Sequence, residues 1–153
     1  LKRNINIRGN ATLKAHIYTS NPISSYAASG ASLMIVNEPT DPEDVNVQVS
    51  GASAFMGRVN AKTMYVDMSG ASKATISGNS NQFIATLSGA SSLNGLEFET
   101  HDAQLVLSGA SEVSLRINGV IDLNASGASR LVYSGSATLR NIDLDDGSEI
   151  VKN

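Results

Sequence analysis

The densest chemistry in the chain lies in one short run, Leu-Glu-Phe-Glu-Thr-His-Asp, which carries Glu97, Glu99, His101 and Asp102. Two carboxylates with a nearby histidine could work as general acid and base on a polysaccharide. They could also hold a divalent cation through oxygen and imidazole donors. The same run has a plainer reading. Leu96 and Phe98 alternate with Glu97 and Glu99, the pattern of a strand with its apolar face inward and its acids in water. No catalytic residue and no metal site is therefore assigned. Glu97, Glu99, His101 and Asp102 stand as the candidates for contact with a ligand.

Other reactive residue types are accounted for structurally. Serine is abundant, yet no Gly-x-Ser-x-Gly elbow occurs, and His16 and His101 are the only histidines a serine nucleophile could use. His16 is expected at the surface. Asp41, Glu43 and Asp44 lack the glycine and ordered oxygen ligands of a dedicated calcium loop. They belong to the least regular stretch, Asn37 to Asp44, which holds two of the three prolines and four acids and reads as a loop protruding from the third coil. Asp143, Asp145 and Asp146 lie at a late corner, where charge discourages edge-on pairing of the last coil. Tyr18, Tyr26, Tyr65, Phe83 and Tyr133 fall at different positions and make no sugar-binding stripe. Tyr26 and Tyr133 have inward parity, and Phe55 and Phe98 read as core.

The elements that position these residues come from a repeat. Ser-Gly-Ala-Ser recurs unchanged at Ser29–Ser32, Ser50–Ser53, Ser69–Ser72, Ser88–Ser91, Ser108–Ser111 and Ser126–Ser129. Apolar residues precede each Gly by two and four positions, as in Val47 and Val49 or Leu105 and Leu107. Another follows two residues after the last Ser, as in Phe55, Leu93 and Val113. Alternation on both sides of a corner reads as strand, turn, strand. The template extends to two degenerate corners, one between Ile5 and Leu13 and one between Ile142 and Ile150; terminal repeats are commonly atypical because they cap the core. The whole chain, residues 1–153, is therefore expected to be a single all-β domain, a right-handed parallel β-helix (β-solenoid) of about eight coils of about 20 residues. A second break in each coil carries Gly57, Gly78, Gly95, Gly119 and Gly135. An antiparallel sandwich has no reason to repeat one tetrapeptide in register.

Composition agrees. The 153 residues are 41% hydrophobic with 13 Gly and no Trp, which suits a narrow core of stacked medium-sized side chains. The net charge of −3, with no basic patch, argues against nucleic acid as a partner. Without cysteine there are no disulfides and no thiolate metal sites. No apolar run is long enough to span a membrane as a helix, and no cofactor is implied. No signal peptide is present, and the chain starts at Leu1 without Met, which suggests a fragment or mature form of a longer secreted precursor.

The repeated Ser-Gly-Ala-Ser, the alternating flanks, the stretch Ser126–Gly135 with Tyr133, and the closing Gly147–Lys152 together resemble the bacterial family described as "putative auto-transporter adhesin, head GIN domain". The resemblance covers essentially the whole chain. It implies a right-handed parallel β-helix in a secreted, periplasmic or outer-surface protein, and it offers no catalytic residues to carry over. The expected function is a non-catalytic scaffold for adhesion, meeting a surface ligand, glycan or protein, through its flat Ser/Thr/Asn-rich faces. The alternatives are a carbohydrate-active β-helix enzyme centred on Glu97, Glu99 and His101, and a structural spacer that oligomerises through its terminal coils.

Overall fold

The computed structural model describes residues 14–145 and 147–153. Among the described residues eleven strands follow in chain order: β1 (Ser25–Ala28), β2 (Leu33–Thr40), β3 (Asp44–Val49), β4 (Ala54–Met68), β5 (Lys73–Leu87), β6 (Ser92–Leu107), β7 (Glu112–Ile117), β8 (Val120–Ala125), β9 (Arg130–Ser134), β10 (Thr138–Leu144) and β11 (Glu149–Lys152). All their pairings are parallel. The chain therefore winds as a β-solenoid of about 7 turns. One wall stacks the segments that precede each corner (β1, β3, the ends of β4, β5 and β6, then β8 and β10). The other stacks those that follow it (β2, the starts of β4, β5 and β6, then β7, β9 and β11). The turn count is slightly below the expected eight; the degenerate corner between Ile5 and Leu13 lies outside the described residues.

The corner works because glycine meets two demands at once. Gly30, Gly51, Gly70, Gly89, Gly109 and Gly127 all have φ between 73° and 77°, a region other residues enter at a cost. From Ala52 to Ala128, each corner alanine N–H donates to the carbonyl of the glycine one coil earlier at 2.7–2.8 Å. That bond draws the corners so close that a Cβ on Gly51, Gly70, Gly89, Gly109 or Gly127 would lie 2.5–2.7 Å from the carbonyl oxygen of the preceding glycine.

The two serines of the motif have different tasks, one facing the interior and the other the edge of the rod. The fourth residue turns inward: Ser53, Ser72, Ser91, Ser111 and Ser129 are all buried. Ser91 Oγ donates to Ser88 O at 2.7 Å, and Ser111 Oγ to Ser108 O at 2.9 Å. Ser72 and Ser91 are linked hydroxyl to hydroxyl at 3.3 Å. Neighbouring partners thus replace the water that the Ser53, Ser72, Ser91 and Ser111 hydroxyls lose, whereas Ser129 Oγ is buried without a hydrogen-bond partner among the described residues. The first serine stays half-exposed, and the Ser88 and Ser108 hydroxyls reach back to carbonyls of the previous coil, Met68 O and Leu87 O.

Inside, side chains stack in columns such as Val47, Val66, Ala85, Leu105 and Leu123, all buried. Each fully buried Leu or Val contributes about 1.5–3 kcal/mol. Rings fill the wider places: Tyr26 packs on Phe55 with centroids 5.6 Å apart, and Phe83 on Phe98 at 5.5 Å. Tyr133 is buried as its parity predicts, and His16 is exposed.

The Asn37–Asp44 stretch departs from expectation. It does not protrude as one loop, because β2 continues to Thr40 and β3 begins at Asp44. The extra length is taken up within the ladder: Val36 pairs with Gly57, and Thr40 already pairs with Val59. Four residues of β2 thus match two of β4, a bulge. Lys62 Nζ holds Glu43 at 3.2 Å.

At the far end, β10 is pinned to β8 by Asp122. Arg140 is the extra residue where the register shifts between Leu139 and Asn141. Its guanidinium embraces the Asp122 carboxylate (Nε to Oδ1 2.9 Å), and Asn141 Nδ2 adds a bond of 2.9 Å. The Arg140 hydrogen bond, with its charge and the Asn141 donors, lowers the Asp122 pKa below 3.8, and Asp122 in turn raises that of Arg140. A carboxyl whose pKa is lowered by folding stabilises the fold above its unfolded value and loses that contribution as pH falls through the folded value. The stability difference between the wild type and Asp122→Asn is therefore expected to hold from neutral pH down to about 3.8 and to vanish on further acidification. Urea unfolding across that range measures it; a difference that grew in acid would refute the assignment. Asp143, on the outward face of β10, accepts a bond from Asn124 Nδ2 at 3.3 Å.

Candidate functional site

Beyond the second wall each coil turns through its less regular break, and the four sequence candidates lie along this side. Only Gly78 and Gly135 among the break glycines have positive φ, 113° and 101°. The others serve by size. Thr75 pairs with Asn94 and Ser77 with Glu97, so Ile76 alone faces both Gly95 and Leu96. Gly95 takes the inner place, where a Cβ would lie 2.6 Å from Leu115 Cδ2 and 3.2 Å from Ile76 Cγ1. Leu96 is pushed outward and is 54% exposed. The expectation that Leu96 points inward is thus overturned: the bulge breaks the alternation one residue before Phe98, which is fully buried as expected.

The candidates do not converge. Glu97 is exposed and has no hydrogen-bond or ion-pair partner among the described residues. Glu99 is a rung in an axial ladder. Asn79 Nδ2 donates to Asn60 Oδ1 at 3.2 Å, Asn118 Nδ2 donates to Glu99 Oε1 at 2.8 Å, and Ser136 N donates to Asn118 Oδ1 at 3.3 Å. The second Glu99 oxygen lies 3.5 Å from Arg116 Nε. Asp102 accepts the Val120 N–H at 2.8 Å, which anchors the start of β8, and is 2.9 Å from His101 Nδ1. Both side chains wrap Gly119, where a Cβ would lie 2.4 Å from each. Among the described residues no three His, Asp or Glu side chains are grouped to hold a metal ion.

Two open depressions meet at Leu96 and Glu97. One, of about 440 Å³, is lined by Gly78, Asn79, Phe98, Glu99 and Arg116. The other, of about 470 Å³, is lined by residues that include Ile35, Met56, Arg58, Thr75 and Asn94. Sharing two residues, they form one trough along the rod. Sequence reasoning found Glu97 and Glu99 but missed Arg58, Asn79 and Arg116. The available signal was the recurrence of Asn60, Asn79 and Asn118, one coil and then two coils apart, with Glu99 in the coil between.

The stacked Ser-Gly-Ala-Ser corners and the parallel solenoid agree with the comparison of the sequence with known families. Residues 1–137 match the family described as "Putative auto-transporter adhesin, head GIN domain". The chain belongs to this family. The resemblance drawn from the repeat is thereby borne out. No curated protein and no solved structure matches the chain. The family description is that of an adhesin-like head domain, and among the described residues of this head GIN domain no helix is long and apolar enough to cross a membrane.

Proposed function

We propose that this head GIN domain is a non-catalytic adhesion scaffold of a bacterial envelope or extracellular protein. It presents a rigid rod to a surface ligand, with the trough around Leu96 and Glu97 as the contact region. The observation that carries this reading is the commitment of the candidate carboxylates. Glu99 and Asp102 each bridge one coil to the next, which leaves no free acid–base pair around a substrate bond. Family membership supports both the adhesive role and a secreted, periplasmic or outer-surface location.

The test combines a glycan array and a surface pull-down with a polysaccharide-cleavage assay on the same protein. Binding without turnover is expected. Glu99→Gln is expected to cost at most about 1 kcal/mol in stability, the value of an exposed pair. Reproducible cleavage that disappears in Glu97→Gln or Glu99→Gln would establish an enzyme instead. The absence of every ligand in both binding screens would count against adhesion.

A further inference from the structure

We propose that the trough binds an extended, uncharged glycan lying along the rod axis, across the strands. This inference rests on the adhesion reading and adds the ligand class, its direction and the residues that read it.

Direction comes from the fold. The trough crosses five stacked coils, from β2 through β4, β5 and β6 to β7. At about 4.8 Å per coil its length is about 19 Å. A straight chain of sugar rings fits that span, whereas a compact metabolite leaves most of it empty. The backbone narrows the choice further. Along the trough each strand is paired with the coil on either side except at short bulges, between Val36 and Thr40, opposite Ile76, and at Leu96–Phe98, which have no register partner in β7. An extended peptide recognised by adding a strand needs a continuous free sheet edge, and the unpaired stretch at Leu96–Phe98 is only three residues long with paired residues on both sides. Recognition there must come from side chains.

Those side chains suit hydroxyl groups and balance in charge. Arg58 and Arg116 stand against Glu97 and Glu99, so neither a polyanion nor a polycation is favoured. Arg58, Ser77 and Glu97 share one column of the ladder. Two coil spacings put the backbones of Arg58 and Glu97 about 10 Å apart across the small serine, and the two side chains form no ion pair. Both groups lack a partner among the described residues, so their hydrogen-bonding capacity is free for a ligand. A planar guanidinium and a carboxylate each engage two neighbouring hydroxyls, and Asn94, whose Oδ1 accepts the Leu96 N–H at 3.3 Å, offers its amide NH2 as a donor. Leu96, 54% exposed on its bulge, and Met56, 45% exposed, give apolar surface for the C–H faces of the rings.

The experiment is calorimetric titration with neutral homo-oligosaccharides from disaccharide to hexasaccharide, alongside charged oligosaccharides and unstructured peptides. Backbone amide NMR shifts map the site. Affinity for a neutral series is expected to rise with chain length and level off once the trough is filled, with shifts centred on Leu96 and Glu97. Glu97→Ala and Arg58→Ala are each expected to weaken binding about tenfold, the effect of losing one charged hydrogen bond. Asp67→Asn, on the other wall, is the control and should bind as the wild type does. The inference is overturned if charged oligosaccharides or peptides bind in preference, if affinity ignores chain length, or if both alanine variants bind normally. It is also overturned if no neutral glycan binds while the domain still adheres to surfaces, a result that leaves the adhesion reading standing. Loss of surface adhesion together with glycan binding in the wild type would remove both.

Discussion

Gly89→Ala is expected to destabilise the rod by about 3 kcal/mol or more, combining backbone strain with a steric clash. At φ 76° an alanine pays for a left-handed conformation. Its Cβ would also lie 2.5 Å from Gly70 O, the carbonyl that accepts the Ala90 N–H at 2.7 Å. The strained corner would therefore have to open the very bond that stacks the two coils. Gly147 separates the two effects. It has a similar φ of 80°, but a Cβ there would meet nothing within 4 Å among the described residues. Gly147→Ala should thus cost about 1 kcal/mol, the conformational part alone. Urea unfolding of both variants decides the matter. Equal losses, or a Gly89→Ala protein as stable as the wild type, would show that the close approach of stacked corners is not what selects glycine.

Phe98→Ala should cost about 3–5 kcal/mol, as for other buried rings. Phe98 is fully buried, packs on Phe83 with centroids 5.5 Å apart at 59°, and lies mid-rod, where coils cover it on both sides. Relaxation into the cavity is hindered on the β5 side, where Glu97, Phe98 and Glu99 are paired with Ser77, Gly78 and Asn79. In a solenoid each coil is held by its neighbours, so a defect there weakens two interfaces at once. Leu139→Ala supplies the contrast: Leu139 sits on β10, the last strand of its wall, is 43% exposed, and should lose about 1 kcal/mol or less. A scan that found the two changes equally damaging would mean that the rod unfolds from its C-terminal end rather than through its middle.

Much of the fold was legible because the repeat makes each coil report on the next. The inward parity of Val47, Leu105, Phe55, Tyr26 and Tyr133 followed from their distance to the nearest corner, and all five are buried. The site was less legible for the same reason: it sits where the coils differ in length. The corners at Ser29 and Ser50 are two residues further apart than those at Ser50 and Ser69, and the surplus lies in the Val36–Thr40 bulge. The coil from Ser88 to Ser108 has one residue more than the coil before it, and that residue is Leu96 or Gly95. Counting locates such an insertion to a coil but does not say which residue turns out.

The corner that opens each coil shows where sequence and tertiary structure divide the work. Sequence alone determined the parallel solenoid, the place of every corner from Ser29 to Ser148, the glycine of the six unchanged motifs, and the alternation that builds the core. These depend on local backbone preference and on a period that is the same in every coil. Only the tertiary structure decided which corner serine turns inward, that β2 runs on through Asn37, that Glu99 is a rung rather than a free carboxylate, and that Leu96 faces water beside Glu97. Each of these is settled by the residue that happens to lie opposite in the adjacent coil, and that register is created only when the coils stack.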